Sequence, residues 1–181
     1  MTNTIKKIIG GITIVEKVFG GLCFAILALL MAMDVGSREI FNEGIEWAQK
    51  GAIILMIWGG FIGAALTTAK GGHLRPEIAD KLWPEKFKPF LKVIEHLIVT
   101  GFCVFLFYLS LEHLQAVQAN GDIHPVIVGL PLWVVNIIFP YVFVSMAFRH
   151  FVFAIVPSLR PDDYGETSKV LDEFEKEEVG Y

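Results

Sequence analysis

Charge is scarce in this chain. Only 19% of its 181 residues are Asp, Glu, Lys or Arg, where a soluble domain of this size carries about a quarter. Hydrophobic residues make up 54%, mean hydropathy is +0.58, and the deficit of charge places the chain in the membrane class. Cysteine is nearly absent. Cys23 and Cys103 each lie inside an apolar run, which fits two small core residues and excludes a disulfide framework. No Cys/His spacing suggests zinc. No nucleophile–base pair, phosphate loop or nucleic-acid motif is present, so neither an active site made by this chain alone nor a nucleic-acid partner is expected. There is no internal repeat. Phe, with 15 residues, outnumbers Tyr and Trp together, as suits a surface facing lipid or other helices.

What is present is four long apolar runs. A membrane helix needs about 20 mostly apolar residues, and candidates fall at about 14–35, 51–69, 93–114 and 130–153. The second contains no charge at all. Pro131 can occupy the first turn of the last span, where its missing N–H costs nothing. Lys6 and Lys7 precede the first run as in a secretory signal, but no small-x-small cleavage site follows it, and it reads as an uncleaved span. A barrel would need alternating segments of about 10 residues, and none occur. The expected fold is therefore all-α: an integral membrane domain over 1–156, with four transmembrane helices in an up-down antiparallel bundle.

Lys and Arg are distributed unevenly about these spans. Thirteen lie before the first span, between the second and third, or after the fourth; only Arg38 and Lys50 lie on the other side. The positive-inside rule then puts both termini and the middle loop in the cytoplasm. In that loop, Pro76 and Pro84 bracket an amphipathic stretch, so a short interfacial helix is expected at about 76–83, with Lys86 and Lys88 near anionic lipid headgroups. The tail, 157–181, is acidic and poor in apolar residues, and is expected to be disordered.

Within the spans, Gly59 and Gly63 form a small-xxx-small pair, with Gly60 and Ala64 one residue on; such faces let helix backbones approach closely. Asn136 should bond a neighbouring helix, and Pro140 should kink the last span. Asp34 and Arg38, and Glu46 and Lys50, have the i,i+4 spacing of surface ion pairs, each worth under about 1 kcal/mol. Glu16 and Arg149 fall near span ends, and no ionic side chain falls at mid-depth. A chain that itself moved an ion or anion would place charge there, so a supporting role is expected. His96 and His150 fall near one membrane edge and His113 and His124 near the other. A pair at one depth is necessary for haem ligation between helices, but all four sit at span ends, where unliganded His is common.

Several of these features recur together. Asp34-Val35-Gly36-Ser37-Arg38-Glu39-Ile40-Phe41-Asn42, then Glu46, then Trp58-Gly59-Gly60-Phe61-Ile62-Gly63-Ala64-Ala65, Gly71-Gly72-His73-Leu74-Arg75 and Gly129-Leu130-Pro131 follow in order. Over roughly 15–150 the chain resembles the small membrane (Q-type, DctQ-like) subunit of tripartite ATP-independent periplasmic (TRAP) transporters. Arg75-Pro76-Glu77-Ile78 departs from the more usual apolar-acidic continuation, and the acidic tail matches no family pattern.

The resemblance implies a scaffold role beside a large multi-span transport subunit that holds the substrate and Na+ sites. It implies a periplasmic substrate-binding protein that delivers an organic acid to the outer face, and residence in a bacterial inner membrane. This chain would bind no cofactor of its own and would not be an enzyme. Arg38, Glu46, His73 and Arg75 become candidate docking or subunit-interface residues, and Trp58, Gly59, Gly63 and Asn136 candidate packing residues. Rival readings are the small subunit of another tripartite carrier, a haem-bearing or plain anchor of a respiratory complex, and a free-standing structural protein.

Overall fold

The computed structural model describes residues 2–69, 88–124 and 129–160. The expected interfacial helix at 76–83, with His73 and Arg75, lies outside the described residues, as does the tail from 161 onward.

Four helical units cross the apolar layer: α1 (Thr2–Phe41), α2 (Glu46–Ala69), α3 (Lys88–Asn120), and a last span made of α4 (Leu132–Asn136) and α5 (Ile138–Ile155). Each is long and apolar enough to span a membrane. At 1.5 Å per residue, the 24 residues of α2 reach about 36 Å, just over the roughly 30 Å hydrocarbon layer. The 40 residues of α1 reach about 60 Å, so its first turns project beyond that layer.

The ends of these helices follow from local chemistry. α1 stops where Asn42 takes a left-handed conformation, φ 55°, and its N–H bonds the Arg38 carbonyl at 3.0 Å. α3 stops at Gly121, φ 67°, where the Asp122 N–H reaches back to the Val117 carbonyl at 3.4 Å. The loop then doubles back: the His124 N–H bonds the Leu130 carbonyl, and the Leu132 N–H bonds the Asp122 carbonyl. That small clasp sets the angle at which Pro131, in extended conformation, starts α4. The last span breaks at Ile137, three residues before Pro140, which cannot donate to the Asn136 carbonyl. Beyond α5, Pro157–Leu159 form a 3-10 turn. Arg160 folds back from it, its Nε donating to the Phe153 carbonyl at 2.7 Å. A cation thus sits on a helix C-terminus, where it is favoured, and the packed unit runs a few residues past 156.

The helices alternate in direction as expected, but they do not close into a symmetric square. α1 lies along α2, α3 lies along α5, and α2 and α5 join the two hairpins. Ile62 and Ala65 of α2 and Ile138 and Val142 of α5 form the core at that junction, with Trp58, Phe61 and Phe139 packed around them. The Phe61 and Phe139 rings meet edge to face at 4.8 Å. The last span is consequently the most enclosed, and α3 the least.

Candidate functional site

Two polar clusters stand out, one at each end of the bundle. At the end that carries the N-terminus, Glu16 of α1 and Arg149 of α5 form an ion pair, with Arg149 Nη2 donating to Glu16 Oε2 at 2.5 Å. Both side chains are 1% exposed. Both oxygens of Glu16 and both terminal nitrogens of Arg149 are engaged, while Arg149 Nε is buried without a partner. Ser145 Oγ donates to Glu16 Oε1 at 2.7 Å, and the Tyr141 hydroxyl donates to the same oxygen at 3.3 Å. Arg149 Nη1 donates to the Ala65 carbonyl of α2 at 3.0 Å, and Nη2 also reaches Thr13 Oγ1 at 3.4 Å. One guanidinium therefore ties together α1, α2 and α5. Its planar fork suits this task, because it can serve a carboxylate and a carbonyl at once. Buried charges of this kind are tolerable only when paired and hydrogen-bonded.

The sequence puts Glu16 and Arg149 near span ends without linking them; the structure pairs them. A signal was present. Tyr141, Ser145 and Arg149 recur every four residues along one helix face, and the first span carries an acidic residue near the same membrane edge. That α1 and α5 approach each other across α2 depends on tertiary packing.

At the same end, on the α3 side, His96 and His150 face each other with their Nδ1 atoms 3.0 Å apart, and Phe153 packs against both rings. The ring centroids are 5.2 Å apart. Rings in direct contact leave no space for a haem macrocycle between them, so this pair does not fit the haem reading.

At the opposite end, Asp34 is the organising residue. Its carboxylate accepts from the Ile45 backbone N–H at 2.6 Å, from Gln49 Nε2 at 3.1 Å and from Arg38 Nη2 at 2.9 Å. Asp34 is 1% exposed. It is thus no simple surface pair with Arg38, as its spacing suggests; it is the pin that closes the α1–α2 turn. Gly44 packs closely against this cluster: a Cβ at that position would sit 3.0 Å from Arg38 Nε and 3.1 Å from Asp34 Oδ1, so those side chains would have to shift. Ser37 Oγ adds a bond to the Glu43 carbonyl.

The remaining sequence candidates fall in different places. Arg38 projects outward from Asp34, half exposed. Glu46 opens α2 and pairs with Lys50 at 2.8 Å on the surface, where an acidic first turn also complements the helix dipole. Trp58 donates its indole N–H to the Val135 carbonyl at 2.9 Å, beside the break before Ile137, and its ring lies 5.8 Å from Phe19. Gly59 lets the Phe24 ring approach; a Cβ there would meet it at 3.1 Å. Gly63 meets nothing within 4 Å. Of the two glycines of the small-xxx-small pair, Gly59 thus has a helix neighbour against it within this chain and Gly63 has none. Asn136 Nδ2 pairs with His113 Nε2 at 3.2 Å, linking α4 to α3. Among the described residues, no group of three or more His, Cys, Asp or Glu could hold a metal ion.

The fold and these clusters define a multi-pass helical membrane protein in which the buried Glu16 and Arg149 neutralise one another. The family profile for "Tripartite ATP-independent periplasmic transporters, DctQ component" matches residues 27–158, well over half of the chain. The chain belongs to that family and is a small TRAP transporter subunit. It is also similar to the "Sialic acid TRAP transporter permease protein SiaT" of Haemophilus influenzae (strain 86-028NP), 27% identical over 92 residues. That alignment covers 51% of this chain and 15% of the relative, so the chain corresponds to a small part of that protein's length.

Proposed function

We propose that this chain is the fixed scaffold of a sodium-coupled TRAP transporter for an organic acid. It holds a large multi-span transport subunit in the bacterial inner membrane and helps dock a periplasmic substrate-binding protein. The observation that carries this reading is the Glu16–Arg149 lock. A transported ion needs a site that can open and exchange partners. Here the carboxylate is committed to Arg149, Ser145 and Tyr141, and the guanidinium is committed to two other helices. Such a network is suited to holding helices at fixed distances rather than to moving them.

On this reading Na+ and substrate bind in the large subunit, and this chain has no cofactor and no catalytic step. The termini are cytoplasmic, and the α1–α2 turn with Arg38 and Glu46 faces the periplasm, where the binding protein docks. Apolar faces on α1 and α3 are available to lipid and to the large subunit. Affinity purification of the tagged chain from its native membrane tests the reading. A large polytopic partner is expected in the eluate. Proteoliposomes holding only this chain are expected to show no sodium-driven organic acid uptake, and uptake by the chain alone would overturn the proposal.

A further inference from the structure

Lys17 directly follows the buried Glu16, yet it is exposed. Its neighbours on the outside of α1 are apolar: Ile14 is 65% exposed and Val18 59%. Val15 and Phe19 line an apolar groove toward Ile137 and Tyr141 of the last span, but they lie about 160° round the helix from Lys17. The lysine thus faces away from α5 and takes no part in the lock. Among the described residues no carboxylate pairs with it. The one beside it, Glu16, is consumed by Arg149, Ser145 and Tyr141.

The lock also sets the depth of this lysine. Glu16 is level with Arg149, and α5 continues for about 9 Å past Arg149 before it ends at Ile155. Phe151 and Ile155 on that stretch are apolar and exposed, so the apolar layer reaches at least to them. The Lys17 backbone therefore lies well inside that layer. An ammonium cannot rest there, and a long side chain carries it to the membrane edge. Side chains on a helix lean toward its N-terminus, which for α1 is the direction of the nearer edge.

At that edge a bilayer presents phosphate. Lys6 and Lys7 are exposed on the same end of α1, and Lys6 shares the face of Lys17. No acidic residue lies between Thr2 and Val15. These lysines are strung over about 16 Å of one helix end. Such a spread matches a continuous layer of phosphates better than an acidic pocket of a protein, which gathers its charge at one point. We propose that Lys17 holds the phosphate of a membrane phospholipid at the N-terminal end of α1, and that the field of Lys6 and Lys7 selects an anionic headgroup over a zwitterionic one. The inference goes beyond the scaffold reading and does not depend on it.

Lipid selectivity at this point can be read by fluorescence. In the full chain, Trp47, Trp58, Trp83 and Trp133 are changed to Phe and Ile14→Trp puts the remaining indole one turn from Lys17. The protein is reconstituted in vesicles of phosphatidylglycerol and phosphatidylcholine, with one lipid or the other brominated at mid-chain as a contact quencher. A reference chain keeps Trp47 alone, at the opposite end of the bundle, where Arg38 and Lys50 are already paired. At least a threefold preference for phosphatidylglycerol is expected beside Lys17, and about equal binding at Trp47. Lys17→Gln is expected to lower the preference at least twofold, as is the double change Lys6→Gln, Lys7→Gln, while Lys17→Arg keeps it. Both sites are exposed, so neither change threatens the fold. A preference no greater than that at Trp47, or one that survives Lys17→Gln, would overturn the proposal. Loss of the preference in the purified complex with a large subunit would give Lys17 to an acidic residue of that protein and overturn it equally.

Discussion

Arg149 illustrates how far a single residue reaches in this fold. Removing Glu16 leaves a buried guanidinium without its counter-charge, and breaking such a pair costs about 3–5 kcal/mol. Glu16→Ala is therefore expected to lower the unfolding midpoint of the purified chain in mixed micelles sharply. The double change Glu16→Met, Arg149→Met is expected to recover most of the loss, because both desolvation penalties vanish together. The Asp34 cluster makes a graded counterpart. Asp34→Ala strands the Ile45 N–H and Gln49 at once and is expected to cost about 1–3 kcal/mol. Arg38→Ala removes only a half-exposed partner and is expected to cost less than about 1 kcal/mol. The same unfolding measurement ranks the two, and equal losses would mean that Asp34 acts only as the partner of Arg38. Neither Asp34 nor Glu16 was legible as a buried residue in the sequence. Spacing shows which residues share a helix face; it does not show whether another helix covers that face.

Among the elements, α2 separates internal from external packing. Gly59 faces the Phe24 ring, whereas Gly63 faces open space. Gly59→Leu is expected to pry α1 from α2 and destabilise the isolated chain. Gly63→Leu is expected to leave its unfolding midpoint unchanged. If Gly63 faces the large subunit, the same change lowers recovery of that subunit in co-purification. The motif itself was readable, since small residues four apart stand out in an apolar run. Its division of labour was not, because it depends on where Phe24 arrives from another helix. The last span behaves similarly. Pro140 announces an irregularity, but the break at Ile137 and its stabilisation by the Trp58 indole needed the packed structure. Trp58→Phe, which keeps the ring and removes the N–H, is expected to cost about 1 kcal/mol, read in the same unfolding assay.

For the molecule as a whole, topology is the first test. In a background with Cys23 and Cys103 replaced by Ala, single cysteines at Asn42 and Ile123 are expected to react with a membrane-impermeant thiol reagent added to intact spheroplasts. Cysteines at Lys7 and Ser158 are expected to react only after lysis. The reverse pattern would invert the assigned orientation and move the Arg38–Glu46 turn away from any periplasmic protein. The open arrangement of the helices also bears on assembly. With α3 the least enclosed span and α1 broadly exposed, much of the chain's apolar surface is left for lipid and partner, as suits a subunit completed by another protein.

Sequence alone determined that the chain is helical, that it crosses the membrane four times, and to which transporter family it is similar. These follow from composition, run length and motif order, all of them local along the chain. The tertiary structure alone decided that Glu16 and Arg149 lock three helices together, that Asp34 pins the α1–α2 turn, and that α1 and α5 leave an apolar groove between them. Each of those depends on residues more than a hundred positions apart, or on opposite sides of a turn, meeting at one depth. In a bilayer every apolar helix face looks alike in sequence, because lipid and protein neighbours are equally apolar. Which face meets which neighbour is settled by shape, and by the few polar groups that must find one another.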